Sequence, residues 1–193
     1  IEAAELAMYR KLMDEHTLVV LITSSGKTVK VIDVARLAKQ RGAPTFALTN
    51  LVPSPITDET ERVIQTQAGR SDSFPTKQTS SALAVLYALA LHWAEEINSM
   101  PGDEIAGLRH TLYEKVPTMI EQALQLDAAM QALAGQLVNA PIYTFIGSGP
   151  NLATALLSAA KMRETSQSRS EACNLEEYAH LHCLSLKKQD PVF

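Results

Sequence analysis

The sequence predicts an α/β protein built on parallel sheets, and three observations carry that prediction. Short aliphatic runs alternate with longer segments whose apolar residues recur at helical spacing. The stretch Thr17-Leu-Val-Val-Leu-Ile-Thr-Ser-Ser-Gly-Lys-Thr28 passes from a strand-like run into hydroxyl residues around one glycine, then into a helix-like segment at 29–39. A second strand–turn–helix recurs at 142–163, with Gly147-Ser-Gly149 in its turn. The expected plan is a three-layer α/β/α arrangement, two such units in a full chain and both incomplete here. We place them at 1–100 and 140–193, joined by connecting helices at 101–139.

Residues 2–14 set Ala, Leu and Met against Glu, Arg and Lys, the pattern of an amphipathic helix. Residues 18–22 read as the first strand and 29–39 as the first long helix. A Gly-Ala turn at 42–43 introduces a short strand that ends before Asn50. Pro53 and Pro55 mark a loop, 58–62 a brief helical turn, and 63–67 a third strand. After a polar loop at 68–75, residues 76–97 form a long helix, and 104–137 two more. Cys173 and Cys183 fall in a segment expected to be helical. The tail Asp190-Pro-Val-Phe193 reads as the start of a strand.

Composition narrows the function classes. The chain has 193 residues, 46% of them apolar and 20% charged, which suits a packed core rather than a disordered chain. A net charge of −4 disfavours nucleic-acid binding, which needs a basic surplus. The longest apolar run, 82–91, is half of the roughly 20 residues that a membrane helix requires. Two cysteines ten positions apart make no CxxC pair and no disulfide framework, so a reducing, cytoplasmic setting is expected.

The chemistry gathers at one sheet edge. In parallel α/β sheets, ligands lie beyond the carboxyl ends of the strands. The segments 23–28, Asn50 and 68–76 all fall there. A helix start offers unpaired N–H groups and a positive dipole end, a glycine lets the backbone approach, and hydroxyls add neutral donors. The expected ligand is therefore a phosphorylated small molecule. Gly147-Ser-Gly149 lacks the third glycine of a dinucleotide fingerprint. His180 and His182 are two apart, which puts them on different helix faces with no third metal ligand in view. Neither a cofactor nor a metal is expected.

These residues also resemble a known family. Ile22-Thr-Ser-Ser-Gly-Lys-Thr28, Arg36-Leu-Ala-Lys-Gln-Arg-Gly42, Ala47-Leu-Thr-Asn50, Phe145-Ile-Gly-Ser-Gly149, Lys161-Met-Arg-Glu164 and Glu177-Tyr-Ala-His180 follow the order and spacing of the double sugar isomerase (SIS) domain proteins. The nearest familiar members are the isomerase half of glutamine–fructose-6-phosphate aminotransferase and the fructosamine-6-phosphate deglycases.

The resemblance implies flavodoxin-like domains and a sugar phosphate gripped by Thr23, Ser24, Ser25 and Thr28, with Ser73 and Thr76 lining the sugar. It implies proton transfer by Glu164 and His180, with Lys161 beside Glu164, and a homodimer with shared sites. A carboxylate removes a proton next to a carbonyl or imine carbon, and a histidine opens the sugar ring or protonates a leaving atom. The chain departs from the family pattern at Ser24 (usually Gln), at Lys27 (usually Glu), and at Leu181-His182 (usually Gly-Pro). The expected activity is that of an isomerase or deglycase acting on an aminated ketose 6-phosphate; the alternative is a non-catalytic phosphosugar sensor.

Overall fold

In the computed structural model, which describes residues 2–8, 13–69 and 76–193, the strand-like runs become two separate parallel sheets. The chain divides into the units Ile1–Pro117 and Thr118–Phe193. The first contains α1 (Ala3–Met8), β1 (Val19–Thr23), α2 (Val29–Gln40), β2 (Thr45–Thr49), α3 (Pro55–Glu59), β3 (Arg62–Gln65), α4 (Lys77–Glu96) and α5 (Gly102–His110). Helix α6 (Val116–Leu124) crosses the division.

The first sheet has the order β1-β2-β3, with Val19 opposite Thr45 and Phe46 opposite Arg62. Every residue of the central strand β2 is buried, while β3 is an exposed edge. Alternation on β1 sends Val19, Leu21 and Thr23 inward. Val19 and Leu21 meet Ile32, Val34, Ala35 and Ala38 of α2, with Met13, Ala47 and Ile56 completing the core. On the opposite face, Leu89 and Trp93 of α4 share a cleft of about 570 Å³ with Leu18, Phe46 and Ile64.

Helix α2 stops where Gly42 takes φ +72°, the left-handed conformation that glycine adopts without strain. Ala43 N–H then donates to Ala38 O (3.0 Å) and Gly42 N–H to Lys39 O (3.2 Å), closing the helix with a Schellman turn. Arg36 on α2 donates to Glu59 of α3 at 2.8 Å, fixing the short helix beside it. Further on, Pro117 has no N–H to return to Tyr113, and its ring crowds that carbonyl. The helical path ahead of it widens into a π-turn at Thr111–Lys115.

The second unit holds α7 (Asp127–Leu137), β4 (Tyr143–Gly147), α8 (Pro150–Ser166), β5 (Ser170–Asn174), α9 (Leu175–His180) and a 3-10 turn at His182–Ser185. Strands β4 and β5 pair in parallel, Tyr143 opposite Ser170. Residues 191–193 lie along the free side of β4. Thr144 N–H donates to Pro191 O (3.1 Å), Phe193 N–H to Thr144 O and Ile146 N–H to Phe193 O (both 2.9 Å). Small residues bring α8 close: Ala155 and Ala159 are buried, and Ser170 Oγ donates to Ala159 O at 2.7 Å.

One expectation needs correction here. Cys173 lies on a strand, not in a helix. The run Ser-Glu-Ala-Cys-Asn has little strand character of its own; its ladder with all five residues of β4 supplies it. Cys183 sits in the 3-10 turn.

Candidate functional site

At the carboxyl end of β1 the chain must turn sharply to start α2, and Gly26 is the hinge. Its φ is +65°, and a Cβ placed there would lie 2.1 Å from Ser54 Oγ and 2.6 Å from Ser54 Cβ. The loop is thus pressed against the segment leading into α3, where Ile56 N–H donates to Gly26 O at 3.0 Å. Around this hinge Ser24, Ser25, Lys27 and Thr28 are exposed, whereas Thr23 is only 6% exposed. Thr23 Oγ1 lies 3.2 Å from Thr28 Oγ1, and Lys27 N–H donates to Ser25 Oγ at 3.3 Å.

Thr28 is the N-cap of α2, but its side chain makes no capping bond to the helix. The positive end of a 12-residue helix is left without a side-chain cap.

Asn50, the first residue after β2, ties the three strand ends together. Its N–H donates to Ser24 O (3.0 Å) and its Nδ2 to Gly69 O (2.9 Å). Its Oδ1 accepts from Ala68 N–H (2.8 Å) and Thr66 Oγ1 (3.3 Å), and its carbonyl accepts from Gln65 Nε2 (3.1 Å). A cleft of about 590 Å³ opens between these loops, lined by Ser24, Ser25, Asn50, Leu51, Gln65, Gln67, Gly69 and Gln78. Its described lining carries hydroxyls and amides and no charged side chain, and Lys27 stands on the same loop as Ser24 and Ser25. Neutral donors beside a helix start are suited to a ligand that brings its own negative charge.

The sequence-predicted residues fall into separate groups. Ser24 and Ser25 line the cleft, Thr28 opens α2, and Thr23 backs the loop from inside. Thr76 is the exposed N-cap of α4; Ser73 lies outside the described residues. In the second unit, Lys161 Nζ donates to Glu164 Oε2 at 2.5 Å on α8. His180 ends α9 with its side chain 78% exposed, 3.5 Å from the still more exposed Glu176.

The second turn is built differently from the first. A Cβ on Gly147 would meet Asn151 O at 2.4 Å, so α8 begins directly against the end of β4. Among the described residues, no group of three or more His, Cys, Asp or Glu side chains is placed to hold a metal ion. No described helix is long and apolar enough to cross a membrane.

Sequence reasoning placed Asn50 at this sheet edge without its hydrogen bonds, and it did not single out Gln65, Gln67 or Gln78. The one available signal was an amide residue directly after a strand, since Asn bonds readily to neighbouring backbone.

A parallel α/β unit with an uncapped helix start and hydroxyl loop at its strand ends has the donors that an anion site requires. Comparison with known proteins finds a match on that part of the chain: residues 1–92 match the SIS domain. The glutamine–fructose-6-phosphate aminotransferase of Thermococcus kodakarensis is 34% identical over 181 residues, 93% of this chain and 30% of the relative. That of Clostridium tetani is 31% identical over 179 residues, 92% of this chain and 29% of the relative.

Among solved structures, the C-terminal domain of the Francisella tularensis glucosamine-fructose-6-phosphate aminotransferase superposes with a TM-score of 0.90 at 25% identity, covering 98% of this chain and 54% of that one. A glucosamine-6-phosphate deaminase from Thermotoga maritima shares the fold at a TM-score of 0.69 and 21% identity, over 99% of this chain and 56% of that one. The chain is homologous to the isomerase (SIS) region of the aminotransferases, and it shares its fold with a Clostridium difficile protein described as a phosphosugar isomerase. It spans about three-tenths of the length of these curated relatives.

Proposed function

We propose that this chain is part of a phosphosugar-binding enzyme, an isomerase or deglycase acting on an aminated ketose 6-phosphate. The observation that carries the reading is the cleft at the ends of β1, β2 and β3, where Ser24 and Ser25 stand beside the uncapped start of α2. In this reading Ser24, Ser25, Thr28 and the first-turn N–H groups of α2 hold the phosphate, with Thr23 shaping the loop. Ser73 and Thr76 line the sugar. The chain would carry parts of two SIS domains, at 1–100 and 140–193, joined by 101–139.

Glu164 is the proposed base, removing a proton from the carbon next to the carbonyl or imine; Lys161 positions its carboxylate. His180 opens the sugar ring and returns a proton to the departing atom. The exposed Tyr87 and Trp93 on α4, with Ile97 just after it, fit a subunit contact, and the assembly is proposed to be a homodimer.

A second reading, a phosphosugar sensor without turnover, is favoured by one observation. His180 is largely exposed, and the carboxylate beside it, Glu176, is more exposed still.

A thermal-shift screen with hexose 6-phosphates tests the shared step, because a ligand bound to the folded state raises its melting point. No shift with any phosphosugar rules out the phosphate site. Glucose 6-phosphate release from glycated amino acid 6-phosphates separates the two readings. Turnover that disappears in Glu164→Gln and His180→Ala supports the enzyme, and binding without turnover supports the sensor.

A further inference from the structure

The turn after α9 contributes a histidine that the functional reading does not use. His182 has a side-chain exposure of 28%, against 78% for His180. Its Nδ1 lies 3.5 Å from Glu171 Oε1 on β5, and its Nε2 lies 3.8 Å from Glu177 Oε1 on α9. The inner carboxylate is anchored, since the wholly buried Thr144 of β4 donates its Oγ1–H to Glu171 Oε1 at 3.0 Å. A carboxylate therefore faces each ring nitrogen. Neutral imidazole has one N–H and one lone pair, so it attracts one of these carboxylates and turns a lone pair to the other. Imidazolium presents an N–H to both.

We propose that Glu171, His182 and Glu177 form a protonation-gated clasp. The imidazolium fastens α9 and the following turn to β5, and its loss of a proton loosens the segment that carries His180. Among the described residues, the carboxylates within ion-pair distance of His182 are Glu171 and Glu177. Strand β5 brings Glu171 and Cys173, whose thiol is pushed up by burial and then by the charges of Glu177 and Glu171. Helix α9 brings Glu177, while its Glu176 and His180 pair with each other. Strand β4 brings uncharged Thr144, and its Tyr143 hydroxyl is turned away to Leu137 O. The clasp is closed when the His182 ring carries both N–H groups and open when it carries one.

Amide hydrogen exchange by mass spectrometry on the full chain tests this, with rates corrected for the intrinsic pH dependence. At about pH 5.5 the peptides spanning 175–185 should exchange several-fold more slowly than at about pH 8, either side of the usual histidine range. His182→Gln should remove that pH dependence and His180→Gln should keep it. Glu177→Gln, which leaves the anchored inner pair intact, should reduce it. A pH-independent segment in the parent, or a His182→Gln variant that keeps the parent's dependence, overturns the clasp. Peptides from α2 serve as the folding control in each sample. The readout is exchange and not turnover, so its outcome is separate from that of the phosphosugar reading.

Discussion

Replacing Gly26 with alanine tests how the anion loop is shaped. Gly26 has φ +65°, a region that costs an L-residue about 1 kcal/mol. The added methyl would also sit 2.1 Å from Ser54 Oγ, 2.6 Å from Ser54 Cβ and 3.0 Å from Ile56 Cγ2. Ser54 is buried and Ile56 fully so; neither offers a flexible chain end that can swing aside. Forcing a methyl into such packing costs about 1–3 kcal/mol more. The total, about 2–4 kcal/mol, corresponds to a fall in Tm of roughly 4–16 °C for a chain of this size.

Gly69→Ala is the matched control. Its φ is +72°, yet among the described residues no atom lies within 4 Å of its Cβ position, so the backbone term of about 1 kcal/mol is the one expected. Differential scanning calorimetry on both variants, and on Gly26→Ala in a Ser54→Gly background, completes the comparison. The Ser54→Gly change should return at least about 1 kcal/mol of the Gly26→Ala loss, the scale of coupling between residues in contact. Equal losses for Gly26→Ala and Gly69→Ala, or no coupling to Ser54, would refute the packing argument.

Three further outcomes are expected. Asn50→Ala removes three side-chain hydrogen bonds, each worth about 0.5–1.5 kcal/mol, so exchange of the 66–69 amides should accelerate more than that of the α2 amides; unchanged rates would contradict the tie. Cys173 is 4% exposed with its thiol pushed up by burial, so iodoacetamide at about pH 8 should label Cys183 at least about tenfold faster, as read by peptide mass mapping. The hydrogen bond and charge of Arg109 hold the Glu95 carboxyl below its usual range. Their stabilising contribution is therefore present above the ordinary glutamate range and lost as pH falls through the depressed value. Arg109→Ala should flatten the acid-side decline in α4–α5 exchange protection.

Local periodicity made much of the fold legible. The strand-like run before Thr23 and the helical spacing from Val29 appear as β1 and α2 within a residue, because each segment's pattern agrees with its packing. Strand β5 was hidden because Ser-Glu-Ala-Cys-Asn becomes a strand only through its ladder with β4. The site divides in the same way. Ser24 and Ser25 could be read from their place beside a strand end. The Asn50 tie links residues up to 26 positions apart, and the Gly26–Ser54 contact spans 28, so the partners in neither can be read locally. Position 182 shows the same limit: only the folded chain sets Glu171 and Glu177 on either side of the imidazole.

The most direct measurement of the central claim is a titration of the 15N-labelled protein with fructose 6-phosphate, followed by amide chemical shifts. A phosphate held at the start of α2 should move the amides of 24–30 in a saturable way, together with those of Asn50 and 65–69. Unphosphorylated fructose should leave them in place. Shifts confined to other parts of the chain, or none at millimolar phosphosugar, would contradict it.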